Sequence, residues 1–463
     1  MEKIVIDLKK PIGKIKPLNS VNNGPKVPLS PDVGQDTGNM ADYRALEIPY
    51  ARTHDAVFYP EYGGDRIIDI TSIFPNFDAD ETLPESYDFY LTDRYLQTML
   101  EVGTKPFYRL GESIEFRLKK YKIVVPKDFE KWARICEHVI RHYNEGWADG
   151  FHMGIEYWEI WMEADGDMFD EGANKRQWGG TPEQFYEMYT ITAKHLKKCF
   201  PNLKIGGPAV SAVIETSWNP TYEQTSKVWI KDFFEHMSKE KVPLDFFSWH
   251  LYACEPKDVI RGALEVDRLL KEYGYSEAEN ILDEYNYISD FAGEKFKESL
   301  RTMQNTKGAV YVAACFACAL NSPLDMLMYF DASPTSIWDG IFTILELEKG
   351  RTYYTYEAFT HLARLGMQPE TVVDSNDIYV LSAMNENRDN ATMVSYFTND
   401  KAAENKVIEL ELNGGNNKEY DFFLLDEDKD LELVKKEFSN CEKTVLYFDM
   451  KPNTMLFVKS KSI

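Results

Sequence analysis

Two apolar runs each end in a carboxylate. EYWEIWME closes on Glu163, and NILDEYNY carries Asp283 and Glu284 directly after Ile281 and Leu282. Two carboxyl groups facing each other can cleave a glycosidic bond: one protonates the leaving oxygen while the other attacks the anomeric carbon or activates water. Two histidines sit at similar stops, His54 in ARTHD and His250 in FFSWHLY, with Tyr252 and Tyr285 close to the second and to Glu284. Imidazole and phenol groups can donate to sugar hydroxyls and to a carboxylate nucleophile. Taken singly, each residue reads more simply as a loop ion pair or a satisfied core histidine. Gathered at the ends of separate apolar runs, they predict a sugar-cleaving site with Glu163 and Glu284 as its catalytic pair.

The elements that must bring them together follow from periodicity. Eight short apolar runs are expected as strands: Ile15–Asn23, Ile48–Val57, Lys105–Gly111, Glu156–Glu163, Lys204–Val210, Asp245–Tyr252, Glu279–Tyr287 and Met326–Ser333. Helical patterns follow at Thr92–Val102, Asp128–Tyr143, Thr181–Cys199, Trp229–Ser238, Val259–Tyr273, Thr306–Ala319 and Tyr353–Leu365, with a poorly marked one near Met40–Leu46. Strand–helix alternation of this kind predicts an α/β fold, a (β/α)8 TIM barrel over residues 14–366, with long loops at Phe58–Leu91 and Ala164–Gly180. Strand-end residues line the mouth of such a barrel, and strands four and seven lie across it from each other. After Gly366 the pattern changes to alternation without helices, which predicts an antiparallel β-sandwich over 367–463, joined by an N-terminal strand within 1–13.

Composition narrows the function. The chain has 463 residues and 52 Lys+Arg against 76 Asp+Glu, a net charge of −24, which excludes a phosphate-backbone partner. Aromatic residues make up 14% and suit the apolar faces of sugars, so the expected partner is an oligosaccharide or glycoside. Six cysteines without regular spacing make no disulfide framework, and Cys315 and Cys318 read as buried apolar groups. No Cys/His cluster has zinc spacing, and no metal or cofactor is expected. DEDKDLELVKKE from Asp426 has calcium-loop acids but Leu431 where the loop needs Gly, so it reads as a charged hairpin. The start lacks a signal-peptide core and no run reaches membrane-spanning length, which points to the cytoplasm; a homo-oligomer is left open.

The chain resembles the family 39 glycoside hydrolases of clan A, the β-xylosidase type. The resemblance is carried in order by ARTHD, YDFYLTDRYLQTMLEVGTKPF, VPKDFEKW, WEIWMEA, LKIGGPAVS, LDFFSWHLY, LDEYN, MLMYFDAS and YYTYEAFTHLARLG. It implies a barrel with a β-sandwich and hydrolysis with retention, with Glu163 as acid/base and Glu284 as nucleophile. His54, His250 and Tyr252 match sugar-binding and nucleophile-supporting positions. Met162-Glu163-Ala164 departs from the family's Asn-Glu-Pro, and a thioether cannot give the hydrogen bond that the asparagine gives the sugar 2-hydroxyl. Phe330 or Tyr329 replaces a family Trp, with Asp331 adding a carboxylate, and Arg109 stands near Glu112 where the family is more apolar. The expected substrate-binding set is thus His54, Arg109, Met162, Trp249, His250, Tyr252, Tyr285 and Phe330. β-Xyloside-like glycosides are the expected substrates. Arabinosides, galactosides or uronic-acid glycosides, the last held by Arg52 and Arg109, remain alternatives, as does a sugar-binding relative with little catalysis. Retention requires the two carboxyls about 5–5.5 Å apart, and inversion about 6.5–9.5 Å.

Overall fold

The computed structural model describes residues 1–26, 38–54, 66–168, 170–334, 336–343 and 347–462. Eight parallel strands close a barrel: β2 (Ser20–Asn22), β3 (Tyr50–Arg52), β4 (Lys105–Leu110), β5 (Tyr157–Ile160), β6 (Lys204–Val210), β7 (Phe246–Ala253), β8 (Glu279–Tyr287) and β9 (Met326–Tyr329). All eight expected strands are present, the first, second, fourth and last markedly shorter than expected. The part of the Ile48–Val57 run beyond His54, and of the Phe58–Leu91 loop before Arg66, lies outside the described residues. Each expected helix forms. An additional one, Gly293–Met303, precedes Thr306–Leu320 and has no side-chain cap at its start. Its apolar residues Phe296, Leu300 and Met303 are too few among charges to mark it in sequence.

The remaining strands are β1 (Glu2–Lys14), β10 (Met367–Val373), β11 (Ile378–Met384), β12 (Asn390–Tyr396), β13 (Lys406–Asn413), β14 (Lys418–Leu425), β15 (Asp430–Ser439), β16 (Lys443–Met450) and β17 (Thr454–Ser462). They form one continuous sheet in the order β15-β14-β17-β12-β11-β10-β1-β13-β16, antiparallel except where β1 runs parallel to β13. The sheet curls so that Ile4, Ile6, Ile408 and Leu410 pack in one core with Val380, Val394, Phe422 and Val458. The charged stretch after Asp426 is a hairpin: β14 pairs with β15, and the Asp426 carboxylate accepts the Asp428 and Lys429 amides in the turn.

The interior of the barrel is layered. Phe107, Tyr157, Phe246, Ile281, Met326 and Met328 form an apolar plug. Above it toward the strand C-termini lie Arg52, Glu159, His250, Asp283 and Glu284, all nearly or fully buried. Charges at that depth persist only when paired and hydrogen-bonded.

One irregularity decides which groups face inward. Phe246 to Trp249 pair with Glu279 to Leu282 in step, but His250 pairs with Glu284, so β8 holds one extra residue there. In a regular strand Asp283 and Glu284 would face opposite sides. The bulge lets both carboxyls enter the barrel, as their shared contact with Arg52 shows.

Candidate active site

Glu284 is 3% exposed and surrounded by donors. Arg52 Nη1 donates to its Oε1 at 2.7 Å, His54 Nε2 stands 3.0 Å from the same oxygen and His250 Nε2 3.4 Å, while Tyr252 donates its hydroxyl to Oε2 at 2.8 Å. Burial alone would raise its pKa, but His250, His54 and Arg52 outweigh burial and hold the carboxyl well below the usual carboxylate range. Glu284 is therefore an ionised, oriented carboxylate at neutral pH.

Glu163 follows β5 in left-handed backbone, with φ +48° after Trp161 at +70°, a turn that swings its side chain over the mouth. Its amide donates to the Ala209 carbonyl at 2.8 Å. Its Oε1 lies 2.8 Å from His250 Nδ1, and Gln177 Nε2 donates to Oε2 at 3.4 Å. Gln177 is placed by the loop after Glu163. Asp167 accepts the amides of Arg176 and Trp178 at 2.7 and 2.8 Å and that of Gln177, and Asp165 accepts the Ser211 amide at 2.9 Å. Asp165 and Asp167 are thus bound to backbone.

His250 joins the two carboxyls. Burial disfavours its charge, but Glu284, Asp283 and Glu163 around it lift its pKa to about 9. As an imidazolium it donates Nδ1–H to Glu163 Oε1 and turns Nε2–H toward Glu284. One oxygen of Glu163, one of Glu284 and a nitrogen of His250 all lie within 4.8 Å of each other. A closest approach of that order is what a nucleophile and acid/base pair would need.

Phe330 reaches the same mouth, its ring edge-on to His54 with centroids 4.9 Å apart and 5.7 Å from the Trp338 ring. Met162 is buried, 1% exposed, and brings no donor to its place before Glu163. Three of the expected residues are not brought to the mouth. Trp249 points at the helix layer: its Nε1 donates to Asn280 Oδ1 at 2.8 Å, and a side-chain carbon on Gly262 would stand 2.4 Å from its ring. Tyr285, just past the bulge, also faces outward against Tyr329. Arg109 is fully buried and donates to Asp69 at 3.0 Å and Ser113 at 3.2 Å.

The sequence reading passed over Glu159, Asn22, Asn23 and Gln177. Glu159 had a signal: an acid in mid-strand, alternating with outward-facing Trp158 and Ile160, must find a cation inside the barrel. It finds Arg52, which also donates to Asn22 Oδ1 at 3.1 Å. Asn23 donates to Asp331 Oδ2 at 3.3 Å.

Asp331 is a neutral acid at this rim. Burial raises its pKa most, and Glu284 adds to the rise against bonds from Ser333 and Asn23, bringing it to about 8. An acid with a raised folded pKa loses folding stability as pH climbs from its unfolded value of 3.8 toward about 8. Asp331→Asn should therefore raise the unfolding temperature at pH about 8 while matching wild type near pH 4. A temperature difference that ignores pH would count against a protonated Asp331.

Two side-chain groups among the described residues have metal-ligand spacing: Glu163–His250–Glu284, and Glu137–His195–Cys199 between two helices. In the first, the Arg52 guanidinium already rests on Glu284, so a cation would meet like charge. In the second, Glu137 holds the His195 ring nitrogen at 2.6 Å and Arg141 at 2.8 Å, an ion-pair cluster complete without a metal.

Comparison with known proteins gives the family and the fold. The family model for glycosyl hydrolases family 39 matches residues 35–417. A β-xylosidase of Geobacillus stearothermophilus is 26% identical over 207 residues, covering 42% of this chain and 36% of the relative. A β-xylosidase of Caldicellulosiruptor saccharolyticus is 28% identical over 179 residues, 37% of this chain and 32% of the relative. The matches thus span about a third of each curated relative's length. Among solved structures, a glucosidase from Croceicoccus marinus superposes with a TM-score of 0.79 at 18% identity, covering 100% of this chain and 99% of its own, which shows the shared fold. The chain belongs to glycosyl hydrolases family 39.

Proposed function

We propose that the protein hydrolyses β-xylosides or closely related glycosides with retention, by double displacement. The observation that carries this reading is the approach of one oxygen of Glu163 to within 4.8 Å of one oxygen of Glu284, with Glu284 surrounded by Arg52, His54, His250 and Tyr252. Glu284 attacks the anomeric carbon while Glu163 gives its proton to the leaving oxygen. Because His250 occupies Oε1 of Glu163, the acid proton sits on Oε2, beside Gln177. In the second step Glu163 takes a proton from the water that releases the sugar from Glu284. Tyr252, His54 and Arg52 keep Glu284 aimed and favour its return as a leaving carboxylate.

The sugar is inferred from relatives named β-xylosidases; a structural neighbour named a glucosidase keeps a substrate bearing a C5 hydroxymethyl group in the test. Arg52 holds Glu284 and Arg109 holds Asp69, which weakens the support they lent to a uronic-acid glycoside, while Nε and Nη1 of Arg109 have no hydrogen-bond partner among the described residues. Met162 favours the reading of a weakly catalytic sugar binder, since the donor expected at that place is gone. A panel of nitrophenyl glycosides, followed by a 2-fluoro xyloside and peptide mapping, separates these readings. Turnover of the β-xyloside with label on Glu284 is expected. Sugar binding with neither turnover nor label would overturn the proposal.

A further inference from the structure

We infer that Glu159 and Asp283 form an acid–carboxylate pair holding one proton between them, a positioning device beneath the nucleophile that fixes Arg52 on Glu284. The inference rests on the catalytic reading of Glu284 for its consequence, but not for its geometry. Both side chains are fully buried. Arg52 lies between them: its Nε and Nη2 stand 2.7 Å from Glu159 Oε2, and its Nε is 3.0 Å from Asp283 Oδ2. Its remaining terminal nitrogen reaches Glu284 Oε1 and Asn22.

Glu159 Oε1 and both oxygens of Asp283 make no hydrogen bond of good geometry among the described residues, and of the donors facing them Arg52 Nη2 and His250 Nε2 are likewise unmatched. Two ionised carboxylates so placed would repel each other and leave buried lone pairs unmet; a proton on Asp283, given to Glu159, removes both problems. The groups facing Asp283 are Arg52 from β3, Glu159 from β5, His250 from β7, 3.5 Å away, and Glu284 beside it on β8, with Asn22 from β2 on its carbonyl. Burial first, then the Glu159 charge, pushes the Asp283 acid well above its ordinary range, against the pull of Arg52 and His250. With Asp283 neutral, the guanidinium is divided between Glu159 and Glu284, and its fork stays fixed on the nucleophile. Asp283 faces inward two residues after Ile281 by ordinary alternation, and the bulge turns Glu284 inward beside it.

Full-length Asp283→Asn and Asp283→Ala, with Glu159→Gln, test this. The asparagine amide can donate to Glu159 as the acid does; alanine cannot. Asp283→Ala should lower kcat about a hundredfold with KM nearly unchanged, and Asp283→Asn should restore most of that loss. Infrared difference spectra at neutral pH should show a protonated-carboxyl band lost in Asp283→Asn. It should also be lost in Glu159→Gln, where Asp283 ionises to serve Arg52. The unfolding-temperature gain of Asp283→Asn over wild type should grow as pH rises above about 4, because only wild type must keep a raised acid protonated. No lost band and a pH-independent temperature difference would overturn the shared proton. These readouts need no substrate, so they stand apart from the identity of the sugar; equal activity of the asparagine and alanine variants would overturn the positioning role.

Discussion

Glu284→Ala is expected to lower kcat/KM by at least roughly 10⁴-fold on every glycoside the wild type cleaves. The variant removes the carboxylate on which Arg52 Nη1, His54 Nε2 and the Tyr252 hydroxyl converge, at 2.7, 3.0 and 2.8 Å. No water in that space can form a glycosyl–enzyme bond. The fold should survive, because Arg52 keeps Glu159 as counter-ion and His250 keeps Glu163. Azide should enter the vacated, cation-lined space and restore turnover with inverted product, as expected when an external anion replaces the nucleophile. Glu163→Ala should instead be rescued by azide with retained product, and should suffer least on substrates with activated leaving groups, which need no proton. Product configuration measured by NMR assigns the two roles independently of rate. Undiminished hydrolysis by Glu284→Ala, or rescue with retention, would reverse or remove the assignment.

The barrel was legible because its strands are apolar on both faces and its helices carry caps such as the Thr181–Gln184 box. The same logic located Glu163 and Glu284, since an acid that ends an apolar run reads as a strand terminus. It failed for Trp249 and Tyr285. Nearness to His250 and Glu284 in sequence does not place a side chain on the same face, and alternation sends both into the helix layer. The bulge in β8 is invisible in sequence because nothing in Leu282-Asp283-Glu284 marks an extra residue; pairing with β7 and β9 reveals it. Arg109 illustrates a different limit. Its partner, Asp69, is 40 residues away in a loop with no periodic signal, so the residue that claims the guanidinium could not be read beforehand. The sandwich was recognised from alternation, but its single continuous sheet depends on β1 bridging β10 and β13 across the whole chain.

Arg52→Met should be the most destabilising change in the site, by about 3–5 kcal/mol, the loss expected when one partner of a buried charge network is deleted. Arg52 is fully buried and contacts Glu159, Asp283 and Glu284, so its removal leaves three inward carboxyls sharing only the neighbouring histidines. Methionine fills the volume and isolates the charge effect. The surviving folded enzyme should also change its pH profile. Arg52 is one of the groups holding Glu284 well below the usual range, so without it the nucleophile titrates higher and the acid limb of kcat/KM moves to higher pH. Arg52→Lys should fall between the two: a single ammonium can neutralise one carboxylate but cannot span Glu159 and Glu284 as a planar fork does. Denaturant unfolding and the pH dependence of kcat/KM measure the two effects separately. A methionine variant as stable as wild type would mean that protonation of the carboxyls, rather than the guanidinium, supports the charged layer. An unmoved acid limb would assign the ionisation of Glu284 to His54 and His250 alone.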